Sequence, residues 1–473
     1  MKIPTSINEA KKSFETGELT PTQLVEHYFS VIAEKNPTIN AVLETFSDAL
    51  VDAKTSDENY KNGNARLLEG IPVLIKDNIL YKNHISTSAS KMLEKYVAPY
   101  DATVVKLLKE HGAIIIGRAN MDEFALGSSG ENSAYGKTLN PVDTSRVPGG
   151  TSSGSAAAVA AGMCIVALGT DTGGSVRMPA NFCGIYGLKP SYGYLSRSGL
   201  IAAVSSFDVP GILANNIEDV KYVFEILAKE DVLDNTTVPE KVRQEIASKN
   251  NYKKVVIYPE EYVNAEGISP ETKNDFYNSL EKIKQAGYEV KPVSFETLKY
   301  ALSVYYIINT AEVSTNLSRM DGLRFGGGDV GEIKNYQELF AKNRGNFFGP
   351  ETKRRIMLGS YVLSHGYYDA YYGKALQLRE KMKREISNFF NEASILVMPT
   401  SPTTAFKFSA ERDPLSLYLE DIFTVSANIC SIPAISIPTE KDSDGLPFSL
   451  QAHAAYGHDS DLFQFVEDFK KVM

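Results

Sequence analysis

Histidine, cysteine and net positive charge are all scarce in this chain. Six histidines occur among 473 residues: His27, His84, His111, His365, His453 and His458. None falls between residues 149 and 180, a window crowded with glycine and hydroxyl side chains. The three cysteines, Cys164, Cys183 and Cys430, are odd in number and widely spaced. Without CxxC or Cys/His spacing they form neither a disulfide framework nor a metal site, and they read as reduced thiols. Lys and Arg number 49 against 58 Asp and Glu, a net charge of −9. That balance disfavours gripping nucleic acid with the whole surface, and the short clusters Lys353-Arg354-Arg355 and Lys470-Lys471 read as solvated charge. No apolar run reaches the roughly 18 residues that a membrane helix needs. The start, MKIPTSINEAKKSFETGE, lacks the apolar core of a secretory signal. These absences lead to the expectation of a soluble, cytoplasmic protein, an organelle matrix being the alternative. The glycine-rich loop 149–161 fits neither GxxxxGK[ST] nor GxGxxG, which makes phosphate binding there the weaker functional reading.

What is present is a run of short apolar strands alternating with helical patterns. Thr20-Pro21-Thr22-Gln23 opens a capped helix over 20–35, and the polar stretch 48–65 reads as a loop. IPVLI (71–75), AIIIG (113–117) and CIVALG (164–169) read as buried strands. TVVKLLKEHG (103–112) and SAAAVAAG (155–162) read as the helices before the second and third. KVVIYP (254–259), YEVKPVSF (288–295), ILVMPTSP (395–402), AISIPT (434–439) and FSLQAHA (448–454) add strands, and 270–286 and 375–392 add helices. The pattern is α/β, without internal repeats.

Two segments carry chemistry. GTDTGGSVRMPA (169–180) runs a strand into a double-glycine turn bearing Ser175. Its glycines permit a sharp turn and close ligand approach, and amides around Thr172, Gly173 and Gly174 can converge on one oxyanion. The turn presents Ser175 much as a nucleophile elbow presents its serine. GGTSSGSAAAVAA (149–161) sets hydroxyls at a helix start. A nucleophilic serine needs a base. With no histidine adjacent, Lys76 in GIPVLIKDNIL (70–80) is the candidate: at the end of an apolar strand, desolvation lowers its pKa and frees a neutral amine.

Together these three segments closely resemble the amidase signature family, over nearly the whole chain. The resemblance implies a single amidase domain over 1–473, with a signature core at about 60–215, a helical elaboration at about 215–390 and the sheet completed by 391–473. It implies a mostly parallel mixed sheet covered on both sides by helices. It also implies a Ser–Ser–Lys triad, with Lys76 as base, Ser175 as nucleophile and the bridging hydroxyl at position 151, which here is Thr151 instead of Ser. Gly150 and Ser152 support that loop, and the family pattern predicts a cis Gly150–Thr151 peptide.

Further segments, 117–136, 305–319, 353–375 and 413–438, resemble one branch of the family, the A subunits of tRNA-dependent amidotransferases. This implies a glutaminase that supplies ammonia to a partner. Arg355 then matches the group that holds the glutamine carboxylate, with Arg354 as fallback, and Asp421 matches the group that holds the ammonium, with Tyr305 nearby. No cofactor or metal is expected on this chain. ATP and Mg²⁺ are expected on the partner subunit, B and C subunits as partners, and mischarged Glu-tRNA(Gln) or Asp-tRNA(Asn) bound through the B subunit. The rival readings are a stand-alone amidase and a non-catalytic scaffold subunit.

Overall fold

A computed structural model describes residues 3–328, 330–408 and 419–473. Among them eleven strands form one sheet: β1 (Val42–Thr45), β2 (Pro72–Lys76), β3 (Ile114–Ala119), β4 (Val166–Asp171), β5 (Tyr186–Lys189), β6 (Val209–Ala214), β7 (Val255–Pro259), β8 (Glu289–Val293), β9 (Ile395–Pro399), β10 (Ala434–Lys441) and β11 (Pro447–His453). Their order is β1-β3-β2-β4-β6-β5-β10-β11-β9-β7-β8. Buried apolar strands such as β2, β3, β4 and β9 are inaccessible along their length, as strands covered on both faces must be.

The sheet is mixed, but not mostly parallel. Parallel pairing is confined to β2 with β3 and β4, and β7 with β8 and β9. The other six pairings are antiparallel. For one of these pairs the reason is connection length. β10 and β11 are joined by a short turn with Gly445 at φ 81, and a tight turn can join only antiparallel strands. The stretch 48–65 is also corrected: Ala49–Lys61 is a helix that buries Ala49, Ala53 and Ser56. Its narrow, small-residue face gives little apolar periodicity to read. The helix expected over 20–35 runs Pro21–Ile39 with its full capping box between Thr20 and Gln23, and a helix not read from the sequence, Ile7–Thr16, precedes it. β7 and β8, from within 215–390, extend the same sheet. Cys164, Cys183 and Cys430 are free and buried. Among the described residues no helix is long and apolar enough to cross a membrane.

The sheet determines where the polar segments meet. β2 and β4 are parallel neighbours in register, Ile75 opposite Leu168. Their carboxyl ends therefore emerge at one edge, and this brings Lys76, the last residue of β2, to the turn that follows β4.

Candidate active site

Lys76 is completely buried. Its Nζ lies 2.8 Å from Thr151 Oγ1, 2.9 Å from Ser152 Oγ, 2.9 Å from Thr170 Oγ1 and 3.3 Å from the Thr170 carbonyl. Burial pushes its pKa down to about 7, against the opposing pull of the Asp122, Asp171 and Asp208 carboxylates. An ammonium has three donors and no acceptor, so four oxygens exceed what it can serve. A neutral amine has a lone pair free to accept a proton from one of the hydroxyls.

The hydroxyls are not equivalent. Ser152 Oγ also accepts from the Thr170 N–H (3.2 Å) and donates to the Thr170 carbonyl (3.1 Å), so its proton is committed. Thr170 Oγ1 also accepts from Asn78 Nδ2 at 3.1 Å. Thr151 Oγ1 has Lys76 as its hydrogen-bond partner among the described residues, which leaves it the freest to move a proton.

The Gly150–Thr151 peptide is trans, contrary to the family-based expectation, since no described peptide bond is cis. Two consecutive left-handed glycines, Gly149 at φ 80 and Gly150 at φ 56, turn the chain instead. A Cβ on Gly150 would come within 2.4 Å of Pro179 Cδ, so glycine is required there on two counts. The turn still delivers the Thr151 hydroxyl to Lys76. It is pinned from both sides: Gly150 N–H donates to the Ser128 carbonyl (2.7 Å), and Ser152 N–H donates to the Ser175 carbonyl (3.0 Å).

Ser175 follows the Gly173-Gly174 turn and, at 8% exposed, is less completely buried than Thr172 (2%) and Val176 (0%). It forms no hydrogen bond to Thr151 Oγ1. Of the three amides expected to form the oxyanion pocket, that of Gly174 is already taken: it donates to Asp171 Oδ1 at 2.9 Å. The cause is a carboxylate buried under the turn, which also accepts from Val176 N–H at 3.0 Å. The N–H groups of Thr172, Gly173 and Ser175 have no acceptor among the described residues and are the available donors.

Asp171 itself was not singled out in the sequence. Burial raises its pKa, but the Arg177 charge and hydrogen bonds, with Lys189 and Asn428, more than offset this and hold it well below the usual carboxylate range. Arg177 is fully buried. It bonds Asp171, the Thr424 carbonyl, Gln451 Oε1 and Asn428 Oδ1. Its signal in the sequence is an Asp and an Arg six residues apart that bracket a turn of glycines and hydroxyls.

The residues expected to hold a substrate also converge. Arg355, on the helix Pro350–Val362, is buried. It donates to Glu351 Oε1 (2.8 Å) and Asn309 Oδ1 (3.2 Å). Arg354, one position earlier, points outward, is 44% exposed along its side chain, and pairs with Glu351. Tyr305 does not contact Asp421 by hydrogen bond. It packs on the turn, where a Cβ on Gly173 would lie 2.4 Å from its ring, and its hydroxyl accepts from Asn309 Nδ2 at 3.1 Å. The partner of Asp421 is the adjacent Tyr306, whose hydroxyl donates to Oδ2 at 2.6 Å and whose ring lies 5.4 Å from the Arg355 guanidinium. Burial raises Asp421 to about 7, while Tyr306 and Arg355 oppose that shift. Thr424 Oγ1 contacts both the Gly173 and Asp421 carbonyls, at 2.5 and 3.1 Å, tying the two halves of the site. Residues 413–418 of the 413–438 segment lie outside the described residues.

A serine on a double-glycine turn, a buried amine with a lowered pKa, amides without an acceptor among the described residues, and the nearby Arg355 and Asp421 form an arrangement suited to acyl transfer from an amide. The sequence pattern of the amidase family matches residues 23–463, and the chain belongs to that family. The A subunit 2 of glutamyl-tRNA(Gln) amidotransferase from Clostridium acetobutylicum is 43% identical over 98% of each chain. The A subunit of the same amidotransferase from Fusobacterium nucleatum is 45% identical over 94% of this chain and 91% of its own. The crystal structure of the glutamyl-tRNA(Gln) amidotransferase A subunit from Thermotoga maritima superposes with a TM-score of 0.79 at 34% identity, covering 100% of this chain and 96% of the other.

Proposed function

We propose that this chain is the glutaminase subunit of a tRNA-dependent amidotransferase. Glutamine binds with its carboxylate on Arg355 and its ammonium on Asp421, the paired contacts that a zwitterionic amino acid needs. Neutral Lys76 draws the Ser175 proton through Thr151 as Ser175 Oγ closes onto the Thr151 hydroxyl in the substrate complex, since such bonds tighten only when substrate is bound. Ser175 attacks the side-chain amide, and the oxyanion rests on the free amides of Thr172, Gly173 and Ser175. The proton passes to the departing ammonia, and water then hydrolyses the glutamyl ester. The single observation that carries this reading is the buried Lys76–Thr151 contact at 2.8 Å beside the Ser175 turn.

The relatives' names support the wider role. Ammonia passes to a B subunit, with a C subunit in the assembly. ATP and Mg²⁺ act on the B subunit, which also holds mischarged Glu-tRNA(Gln) or Asp-tRNA(Asn). The whole chain acts as one amidase domain, in the cytoplasm. Ammonia release from glutamine, measured on the chain alone and with its partner subunits, tests this. Glutamine hydrolysis that rises on assembly is expected. Hydrolysis of simple or fatty amides with none of glutamine would overturn it.

A further inference from the structure

The helix carrying Arg355 begins without a cap of its own. Its N-cap is Gly349, which has no side chain to accept from the first turn, and Pro350 has no N–H. The acceptor comes from 226 residues away. Glu123, only 3% exposed, accepts from the Gly349 N–H at 2.8 Å and from the Thr352 hydroxyl. Its other oxygen accepts from Ser90 Oγ at 2.5 Å. A Cβ on Gly349 would sit 2.7 Å from Glu123 Oε2, so the glycine is what lets the carboxylate reach the helix end. A carboxylate here both satisfies the Gly349 N–H and complements the positive end of the helix.

Glu123 is anchored on the side of the site that holds the hydroxyls. Its N–H donates to the Asn132 carbonyl at 3.2 Å. The preceding residue, Asp122, is fully buried. It accepts from Gly130 and Asn132 N–H groups at 3.1 and 2.7 Å, and its own N–H donates to the Thr151 carbonyl at 3.3 Å. One two-residue step of chain therefore joins the Thr151 loop to the start of the Arg355 helix.

We infer that Glu123 is a positioning residue for substrate. By capping Pro350–Val362 from outside, it fixes the axial place of Arg355 relative to Thr151 and Ser175, and so sets affinity for the glutamine carboxylate. This rests on the reading of Arg355 as the carboxylate site.

The test is steady-state kinetics of the full chain in its active assembly, with glutamine and with 4-aminobutanamide, which is glutamine without its carboxylate. Glu123→Ala should raise the glutamine KM about tenfold, the size of a lost cap. It should leave glutamine kcat within about twofold and leave 4-aminobutanamide hydrolysis unchanged. Glu123→Gln, which keeps an acceptor for Gly349, should restore most of the affinity. Thr352→Val, which removes one donor from the helix side, should raise KM by a smaller factor and serves if the alanine variant does not fold. An unchanged glutamine KM in Glu123→Ala or, failing that, in Thr352→Val, or an equal loss on both substrates, overturns the inference. Arg355→Ala separates the two claims. If it leaves the glutamine KM unchanged, the reading of Arg355 fails; if it raises KM while the Glu123 and Thr352 variants do not, only the inference fails.

Discussion

Replacing Thr151 by Val removes one hydroxyl and keeps the shape of the side chain. Lys76 Nζ loses one of four oxygen neighbours and retains Ser152 Oγ, Thr170 Oγ1 and the Thr170 carbonyl. Those three suffice to hold the amine in place, so the variant should fold, with a cost near that of one buried hydrogen bond, about 1 kcal/mol. Proton transfer is another matter. Ser152 Oγ is saturated by Lys76 and by both backbone groups of Thr170 and has no proton to pass on. Losing the relay should remove the share of catalysis usually due to general acid–base transfer, about 10²- to 10⁴-fold in kcat. At ~1.4 kcal/mol per decade this is about 3–5 kcal/mol of transition-state stabilisation. Glutamine KM should stay within about threefold, because the carboxylate and ammonium contacts are untouched. Thr151→Ser keeps the hydroxyl and should remain close to wild type. Ammonia release under saturating glutamine reads this directly, with a thermal melt to check folding. A valine variant retaining kcat within tenfold of wild type would refute the relay.

Three other outcomes follow from the same geometry. Lys76 must be neutral to act, and burial lowers it from 10.5 to about 7; kcat at saturating glutamine should fall about tenfold per pH unit below that point and level off above it, whereas a profile still climbing toward pH 10 would contradict the buried amine. Asp421 must be ionised to hold an ammonium, so Asp421→Ala should raise the glutamine KM about 10- to 100-fold with a smaller loss of kcat, and an unchanged KM would remove Asp421 from the site. Arg177→Met strands the buried Asp171 charge beneath the turn and should cost about 3–5 kcal/mol in urea unfolding; a loss under 1 kcal/mol would show that the pair does not pin the turn.

Most of the fold could be read from the chain because its strands are short apolar runs flanked by helical periodicity. β2, β3, β4 and β9 lie where those runs stand. Among the elements that escaped, several have weak patterns. β1 is half exposed, β5 has four residues including Gly187, and the helix Ala49–Lys61 buries only small side chains. At the candidate site, the meeting of Lys76 with Thr151 could be expected because each sits in a motif. The commitment of the Gly174 amide to Asp171 could not, because it depends on the rotamer of a carboxylate beneath the turn. Tyr306 was hidden behind Tyr305 for a related reason: adjacent helix residues point about 100° apart, and only packing decides which one faces Gly173 and which one faces Asp421. The trans Gly150–Thr151 peptide likewise depends on the left-handed freedom of two glycines, which residue names alone leave open.

The most direct test is covalent trapping. A glutamine analogue bearing an electrophilic carbon in place of the side-chain amide, incubated with the protein and followed by peptide mass mapping, should label Ser175 alone. Labelling should vanish in Ser175→Ala and slow sharply in Lys76→Ala. An adduct on Thr151, on a cysteine or on any other side chain would contradict the account.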